Sequence, residues 1–133
     1  MALTFTDALT QLTNAQTINT TASNVSAEVD NGANTYTQSN WVFITVTGFA
    51  AAPAGNKAIR FYVQPLHASS GTLFDDGRPG ISWPVAADVQ YDFAGQLGDG
   101  LPRYFKGATM NDTSQNTDAS AVSTWVRVQK VTV

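Results

Sequence analysis

Residues with catalytic chemistry are sparse in this 133-residue sequence, and they form no familiar constellation. His67 is the only histidine, there is no cysteine, and no Gly-x-Ser-x-Gly motif is present. A serine or cysteine nucleophile needs an adjacent base to activate it, so a triad enzyme is not indicated. The segment Gly98-Asp99-Gly100 lacks the Lys-Ser/Thr pair of a phosphate-binding loop. The sequence therefore predicts a protein that is not an enzyme.

The carboxylates of the second half of the chain could form an acid pair or a calcium site, because Ca²⁺ prefers hard oxygen ligands. They do not follow EF-hand spacing, and no glutamate occurs after Asp30. The run Asp75-Asp76-Gly77 is explained as a turn, since Asp and Gly tolerate positive φ. We therefore expect neither a metal nor a cofactor. The carboxylates considered are Asp75, Asp76, Asp88, Asp92, Asp99 and Asp112.

Three tryptophans could provide a stacking platform for a sugar. Trp41 and Trp125 lie in strongly apolar segments, which favours core packing for both. Trp83, beside Pro84 on a weaker segment, is the best candidate for an exposed aromatic residue, and contact with a partner protein would suit it as well as a sugar. One open alternative is thus a carbohydrate-binding β-sandwich that uses Trp83 with Tyr91 or Tyr104.

The charge distribution argues against a nucleic-acid partner. The formal net charge is −3, and no Lys or Arg occurs before Lys57, so the basic patch of a nucleic-acid binder is missing. The nearly uncharged first 56 residues cannot solvate themselves as a charged tail would, which favours packing against protein. The sequence contains no apolar run of 18 residues, so it predicts no membrane span. The first residues lack the pattern of a signal peptide.

Composition and periodicity predict an all-β, single-domain protein. Seventeen threonines against three lysines and one glutamate favour strands over helices. We expect an antiparallel β-sandwich or jelly roll of about seven to eight strands over residues 25–133. Residues 1–24 keep neither the strand period of two nor the helix period of 3.6 for long. We expect them to form an extended arm, with one helical turn at 7–12 as an alternative. The predicted strands cover residues 24–30, 41–47, 58–66, 81–86, 89–93, 103–110 and 122–133.

Two parts of the sequence suggest a family. The Thr/Ala/Asn-rich opening, residues 9–15 through 21–25, resembles virion proteins of tailed bacteriophages, and so does the run Arg103-Tyr104-Phe105-Lys106 that leads into residues 111–115. The likeness is to small all-β capsid decoration (cement) proteins with a jelly-roll or sandwich core. It implies a protein made in the host cytoplasm that binds the outer capsid between major capsid subunits and stabilises the shell, often as a homo-oligomer. A phage tail, neck or head-fibre protein is the alternative.

The expected partners are the major capsid protein and neighbouring copies of this chain, as a dimer or trimer, with no nucleic acid and no membrane. Apolar residues of the arm and of the loops are the predicted contacts, because apolar side chains in such segments need a surface to cover them. Within the arm, residues 4–10 and 16–21 are expected to pair with a neighbour's sheet edge, unless the arm completes the chain's own sandwich. The predicted partner-binding residues are Leu3, Phe5, Leu9, Leu12, Ile18, Phe49, Leu73, Phe74 and Trp83.

Overall fold

The chain folds as two packed antiparallel β-sheets. A computed structural model describes residues 3–54, 57–70 and 80–133, and these ranges contain nine strands and no helix. No helix in them is long and apolar enough to cross a membrane. The strands are β1 (Thr4–Gln16), β2 (Ser23–Val25), β3 (Val29–Asp30), β4 (Thr35–Val46), β5 (Lys57–Leu66), β6 (Ile81–Val85), β7 (Tyr91–Gly98), β8 (Tyr104–Asp112) and β9 (Val122–Thr132).

Each sheet has a simple strand order. The first has four strands in the order β1-β9-β4-β7, and the second has the order β2-β8-β5-β6 with β3 also paired to β8. All of these pairings are antiparallel. The predicted all-β antiparallel sandwich is therefore confirmed. The strand number is higher than expected because residues 24–30 divide into two short strands and the first residues form a strand of their own.

The core lies between the sheets and follows the period of two along each strand. In β4 the side chains of Val42, Ile44 and Val46 are almost fully buried, whereas the residues between them are only half-buried. Such alternation is what a sheet with one face on a core requires. The largest fully buried side chains are Phe49, Phe61, Phe105, Ile44, Ile59, Val42, Val46, Val122 and Val126.

The first residues form a strand within the chain's own sandwich. β1 pairs with β9 from Thr4 opposite Thr132 to Gln16 opposite Val122, with irregularities in register after Gln11. The alternative of a helical turn at residues 7–12 is wrong, because these residues are extended and paired. Of the two arrangements expected for the arm, the structure has the one in which residues 4–16 complete the chain's own sheet. Leu12 of β1 also reaches the second sheet, where it packs over Gly107.

Two strands extend five or more residues further than the sequence predicts. β4 begins at Thr35 instead of residue 41, and β7 continues to Gly98 instead of ending at residue 93. Both strands contain an irregularity in register where Asn40 meets Gly98, and Ser39 beside it has a φ of 51°. A bulge of this kind absorbs the extra residue and lets pairing resume on either side.

Candidate protein-interaction surface

The solvent side of the four-stranded sheet carries an unusual number of aromatic side chains. We call it the outer face. Strand register places its residues in three rows across β1, β9 and β4, since directly paired residues point to the same side. The rows are Phe5–Val131–Tyr36, Leu9–Arg127–Trp41 and Gln11–Trp125–Phe43.

The positions of two tryptophans correct the sequence prediction. Trp41 and Trp125 were expected in the core, but both are half-buried and lie on the outer face. The physical reason is the period of two in β4 and β9. The β-branched Val42 and Val126 occupy the interior next to them, so the tryptophans must point the other way.

The outer face has the composition of a protein-binding surface. Phe5, Leu9 and Tyr36 keep 61%, 65% and 54% of their surface exposed, far more than apolar side chains of a core. The rings of Trp41 and Phe43 lie parallel, with centroids 6.3 Å apart and an interplanar angle of 11°. Aromatic side chains and arginine are the residues enriched in interface centres. The chain therefore presents apolar surface that its own fold leaves uncovered.

On β1, β9 and β4, the strands that carry these rows, charge on the outer face is confined to one ion pair. Arg127 Nη2 lies 3.6 Å from Asp7 Oδ2, and both side chains are more than half exposed. Beside them, the amide of Gln38 donates a hydrogen bond to Gln129 Oε1. An ion pair this exposed adds little to folding stability. It is, however, well placed to orient a partner, because Arg127 lies in the same row as Leu9 and Trp41.

One border of the outer face is an open strand edge. β1 is the terminal strand of its sheet, so one side of its backbone has no strand partner among the described residues. Alternate N–H and C=O groups of such a strand point away from the sheet and are available for pairing. We call this side of residues 4–16 the β1 edge.

The predicted partner-binding residues separate into several groups. Leu3, Phe5 and Leu9 are exposed, with Phe5 and Leu9 on the outer face. Leu12 is half-buried against the second sheet. Leu73 and Phe74 lie outside the described residues.

Ile18 and Phe49 belong to the chain's own core. They are 2% and 1% exposed. The backbone of Ile18 is held from both sides, because its N–H donates to Thr117 Oγ1 and its carbonyl accepts from Asn111 Nδ2, each over 2.9 Å. Phe49 packs edge-on against Tyr91, with ring centroids 6.2 Å apart. Neither side chain is open to a partner in this fold, so we leave both out of the candidate surface.

Trp83 and Tyr91 are committed to contacts inside the molecule. Both stack on Phe93, each with a centroid distance of 5.3 Å, and the indole Nε1 of Trp83 donates to the carbonyl of Ala94 over 3.1 Å. The Tyr91 hydroxyl accepts hydrogen bonds from the backbone amides of Ala86 and Ala87, in the connection between β6 and β7. Tyr104 lies on the second sheet, under the guanidinium of Arg103. Of the two pairings predicted for sugar binding, the structure therefore brings Trp83 and Tyr91 together on Phe93 and leaves Tyr104 at the other end of the second sheet.

The carboxylates support loops and strands. Asp88 accepts from the Phe49 amide, Asp99 from the Ser39 amide and Asp92 from the Thr45 hydroxyl, and Asp112 forms an ion pair with Arg60. Within the described ranges, no group of three or more His, Cys, Asp or Glu side chains could hold a metal ion. Asp75 and Asp76 lie outside those ranges.

Sequence reasoning missed the centre of the outer face. Trp41, Phe43, Trp125 and Arg127 were not among the predicted contacts, nor was Tyr36. A signal was present in the alternation of residues 41–44, where Trp41 and Phe43 are aromatic and Val42 and Ile44 are β-branched. Period two alone does not say which set faces the core.

Comparison with known proteins places the chain in no family. No family model matches it, and no curated protein matches it. Among solved structures, the chain is similar to one described as "Bacillus endospore appendages form a novel family of disulfide-linked pili", with a TM-score of 0.35 and 11% sequence identity. The alignment covers 98% of this chain and 88% of that chain. A likeness this distant carries no functional assignment.

Proposed function

We propose that the chain is a non-enzymatic structural protein that binds other protein subunits through the outer face of its four-stranded sheet. The observation that carries the proposal is the group of half-buried and exposed aromatic residues around Arg127, on a sheet that already has its core on the other side. Contiguous exposed apolar surface rimmed by polar groups is typical of interaction sites.

The way the outer face is built favours binding over a role in folding. Its rows run across three hydrogen-bonded strands, so the backbone under Trp41, Trp125 and Leu9 is already fixed. Binding of a partner to these side chains therefore has no added entropic cost for ordering their backbone. The aromatic side chains also provide a large contact area with few rotatable bonds.

The specific assembly that we propose is a tailed-phage capsid, with this chain as a decoration protein bound to the major capsid protein on the outer surface. It rests on the resemblance of residues 9–25 and 103–115 to such proteins. The absence of any Lys or Arg before Lys57 supports an outer location, away from packaged DNA. A tail, neck or head-fibre position is the alternative assembly.

Electron microscopy of labelled particles tests the assignment. Antibody fragments raised against the purified chain and coupled to gold would be applied to intact phage particles produced with this protein. Pre-immune fragments are the control. Our proposal predicts gold over the whole capsid shell. Gold confined to the tail or neck would favour the alternative, and particles without gold would overturn the assignment to a virion.

A further inference from the structure

The sheet edges of this molecule are protected unequally. β7 is covered by Trp83, which supplies a donor to the carbonyl of Ala94. β6 has five residues and contains Pro84, while β2 and β3 have only three and two residues. Short edges, proline and side-chain cover are the usual means by which a protein prevents unwanted strand pairing.

β1 has none of these protections in its first part. It is thirteen residues long and contains no proline, lysine or arginine. Its register against β9 is unbroken from Thr4 to Gln11, so the edge there is straight enough to template another strand. Its one charged side chain, Asp7, is paired with Arg127.

We propose that the β1 edge pairs antiparallel with β1 of a second copy, forming a dimer in which the two four-stranded sheets become one eight-stranded sheet. The inference goes beyond the proposed function, because it concerns the edge of the sheet and not its outer face. Either can hold without the other.

The residues of β1 select one register for this pairing. A two-fold axis at Ala8 places Asp7 opposite Leu9 of the second copy, and Thr6 opposite Thr10, a pair of hydroxyls that can hydrogen-bond across strands. An axis at Asp7 would set two carboxylates directly opposite each other, which is unfavourable. An axis at Leu9 would set leucine against leucine and bring no opposite charge across the interface.

The axis at Ala8 also gives charge complementarity. Leu9 is directly opposite Arg127 within the chain, so the row that crosses the interface reads Arg127, Leu9 and then Asp7 of the second copy. Strands in a sheet are about 4.8 Å apart, which puts Arg127 and that carboxylate two strands from each other, within reach of an extended arginine. The two-fold axis repeats the relationship on the other side.

The dimer would enlarge the outer face. A two-fold axis between antiparallel strands of one sheet stands perpendicular to it, so both outer faces point to the same side. Phe5 and Leu9 of each copy then lie beside the shared seam. Two candidate surfaces become one continuous platform, which is what a protein bridging symmetric subunits needs.

Sedimentation velocity of the full chain over about 1 to 200 µM tests the proposal, because this range detects dissociation constants in the micromolar range. We expect a monomer–dimer equilibrium. Leu9→Asp puts a carboxylate opposite Asp7 of the second copy and should weaken the dimer at least tenfold, whereas Leu9→Lys should keep or strengthen it. A monomer throughout the range, or equal weakening by both variants, would overturn the proposal.

The absence of cysteine allows a direct check of the register. Ala8→Cys lies on the proposed axis, opposite itself, and should form a disulfide-linked dimer under mild oxidation. Leu9→Cys should not, although it is more exposed. A disulfide-linked dimer formed by Leu9→Cys and not by Ala8→Cys would contradict the register. The melting temperature of each variant shows that its monomer remains folded, and Val25→Asp, an exposed apolar site on β2, controls for added charge.

Discussion

The indole Nε1 of Trp83 donates a hydrogen bond to the backbone carbonyl of Ala94 over 3.1 Å, joining the edge strands of the two sheets. The contact depends on the glycine that follows. A Cβ at Gly95 would stand 2.8 Å from the Trp83 ring, closer than real Cβ contacts allow. The β6–β7 side of the sandwich is thus closed by a side chain, whereas the β1 edge on the other side is left open.

Replacing Trp83 by phenylalanine tests how this side is closed. Trp83→Phe keeps a ring against Phe93 but removes the donor to Ala94, so it should cost about 1 kcal/mol of unfolding free energy. Urea denaturation followed by far-UV circular dichroism measures it. The matched control is Trp125→Phe on the outer face, which should cost clearly less. Equal costs would mean that the hydrogen bond contributes nothing.

Gly107 on β8 lets β1 approach the second sheet. A Cβ there would lie 2.5 Å from Leu12 Cδ1 and 2.9 Å from the ring of Phe61. Gly107→Ala should therefore destabilise the fold by about 1–3 kcal/mol through overpacking.

A double-mutant cycle isolates this contact. Leu12→Ala should recover part of the loss caused by Gly107→Ala, because it removes one of the clashing groups, so that the two substitutions together cost less than their sum. Additive costs, measured by the same denaturation, would show that the clash with Leu12 is not the cause.

Asn111 holds the segment that follows β1. It is fully buried, and its Nδ2 donates to the carbonyls of Ile18 and Gln115, both over 2.9 Å. Its Oδ1 accepts from the amide and the hydroxyl of Thr113. The side chain therefore uses both its donors and its acceptor.

Asn111→Asp should be severely destabilising. The new carboxylate oxygen would face two carbonyls without a donor, at a cost of about 3 kcal/mol or more at neutral pH. The exposed Asn116, whose Oδ1 accepts from Thr20 N, is the matched control, since Asn116→Asp keeps its acceptor and should change stability by less than about 0.5 kcal/mol. Thermal unfolding measures both variants. Equal losses of melting temperature at the two positions would contradict the role given to Asn111.

Asp30 and Arg103 give the fold a component of acid sensitivity. Arg103 Nε donates to Asp30 Oδ1 over 3.1 Å, and the Gly32 amide donates to the same oxygen over 2.8 Å. These contacts, with Arg103 first, hold the pKa of Asp30 below its ordinary value of 3.8. A carboxyl whose pKa is lowered by folding stabilises the native state above its unfolded pKa, and that contribution is lost as pH falls through the folded pKa.

Asp30→Asn measures this contribution, because asparagine keeps the acceptor for the Gly32 amide but loses the charge. We expect wild type to melt above the variant at pH 7, with the difference shrinking below about pH 4. Arg103→Gln should reduce the same pH dependence. A difference between wild type and Asp30→Asn that stays constant down to pH 2.5 would contradict this ion pair.

Strands with a clear period were predictable from sequence. Residues 58–66 and 122–133 were placed to within one residue at each end, because β-branched and aromatic residues alternate there. The weaker segment 81–86, an edge strand at best by sequence, also forms a strand over nearly the same residues. β1 was less predictable. Its threonines fit a strand, but its pairing partner is β9, more than one hundred residues away, and local sequence carries no information on that contact.

The outer face was hidden by a different ambiguity. Residues 41–44 are apolar on both sides of the strand, so either Trp41 and Phe43 or Val42 and Ile44 could have filled the core. Packing against the second sheet decides in favour of the β-branched pair. Likewise the strand predicted over residues 89–93 stops before Gly95, but at that position the missing side chain is what lets Trp83 pack over a continuing strand.

The proposed binding of capsid subunits by the outer face is tested most directly by reconstitution on particles that lack this protein. Cryo-electron microscopy would compare wild type, Trp41→Thr/Trp125→Thr and the control Val25→Thr/Val89→Thr, whose two sites are exposed apolar positions off the outer face. We predict added density on the outer shell with wild type and with the control, and its loss with the tryptophan variant while that variant remains folded. Equal occupancy by the tryptophan variant, or no density with wild type, would contradict the claim.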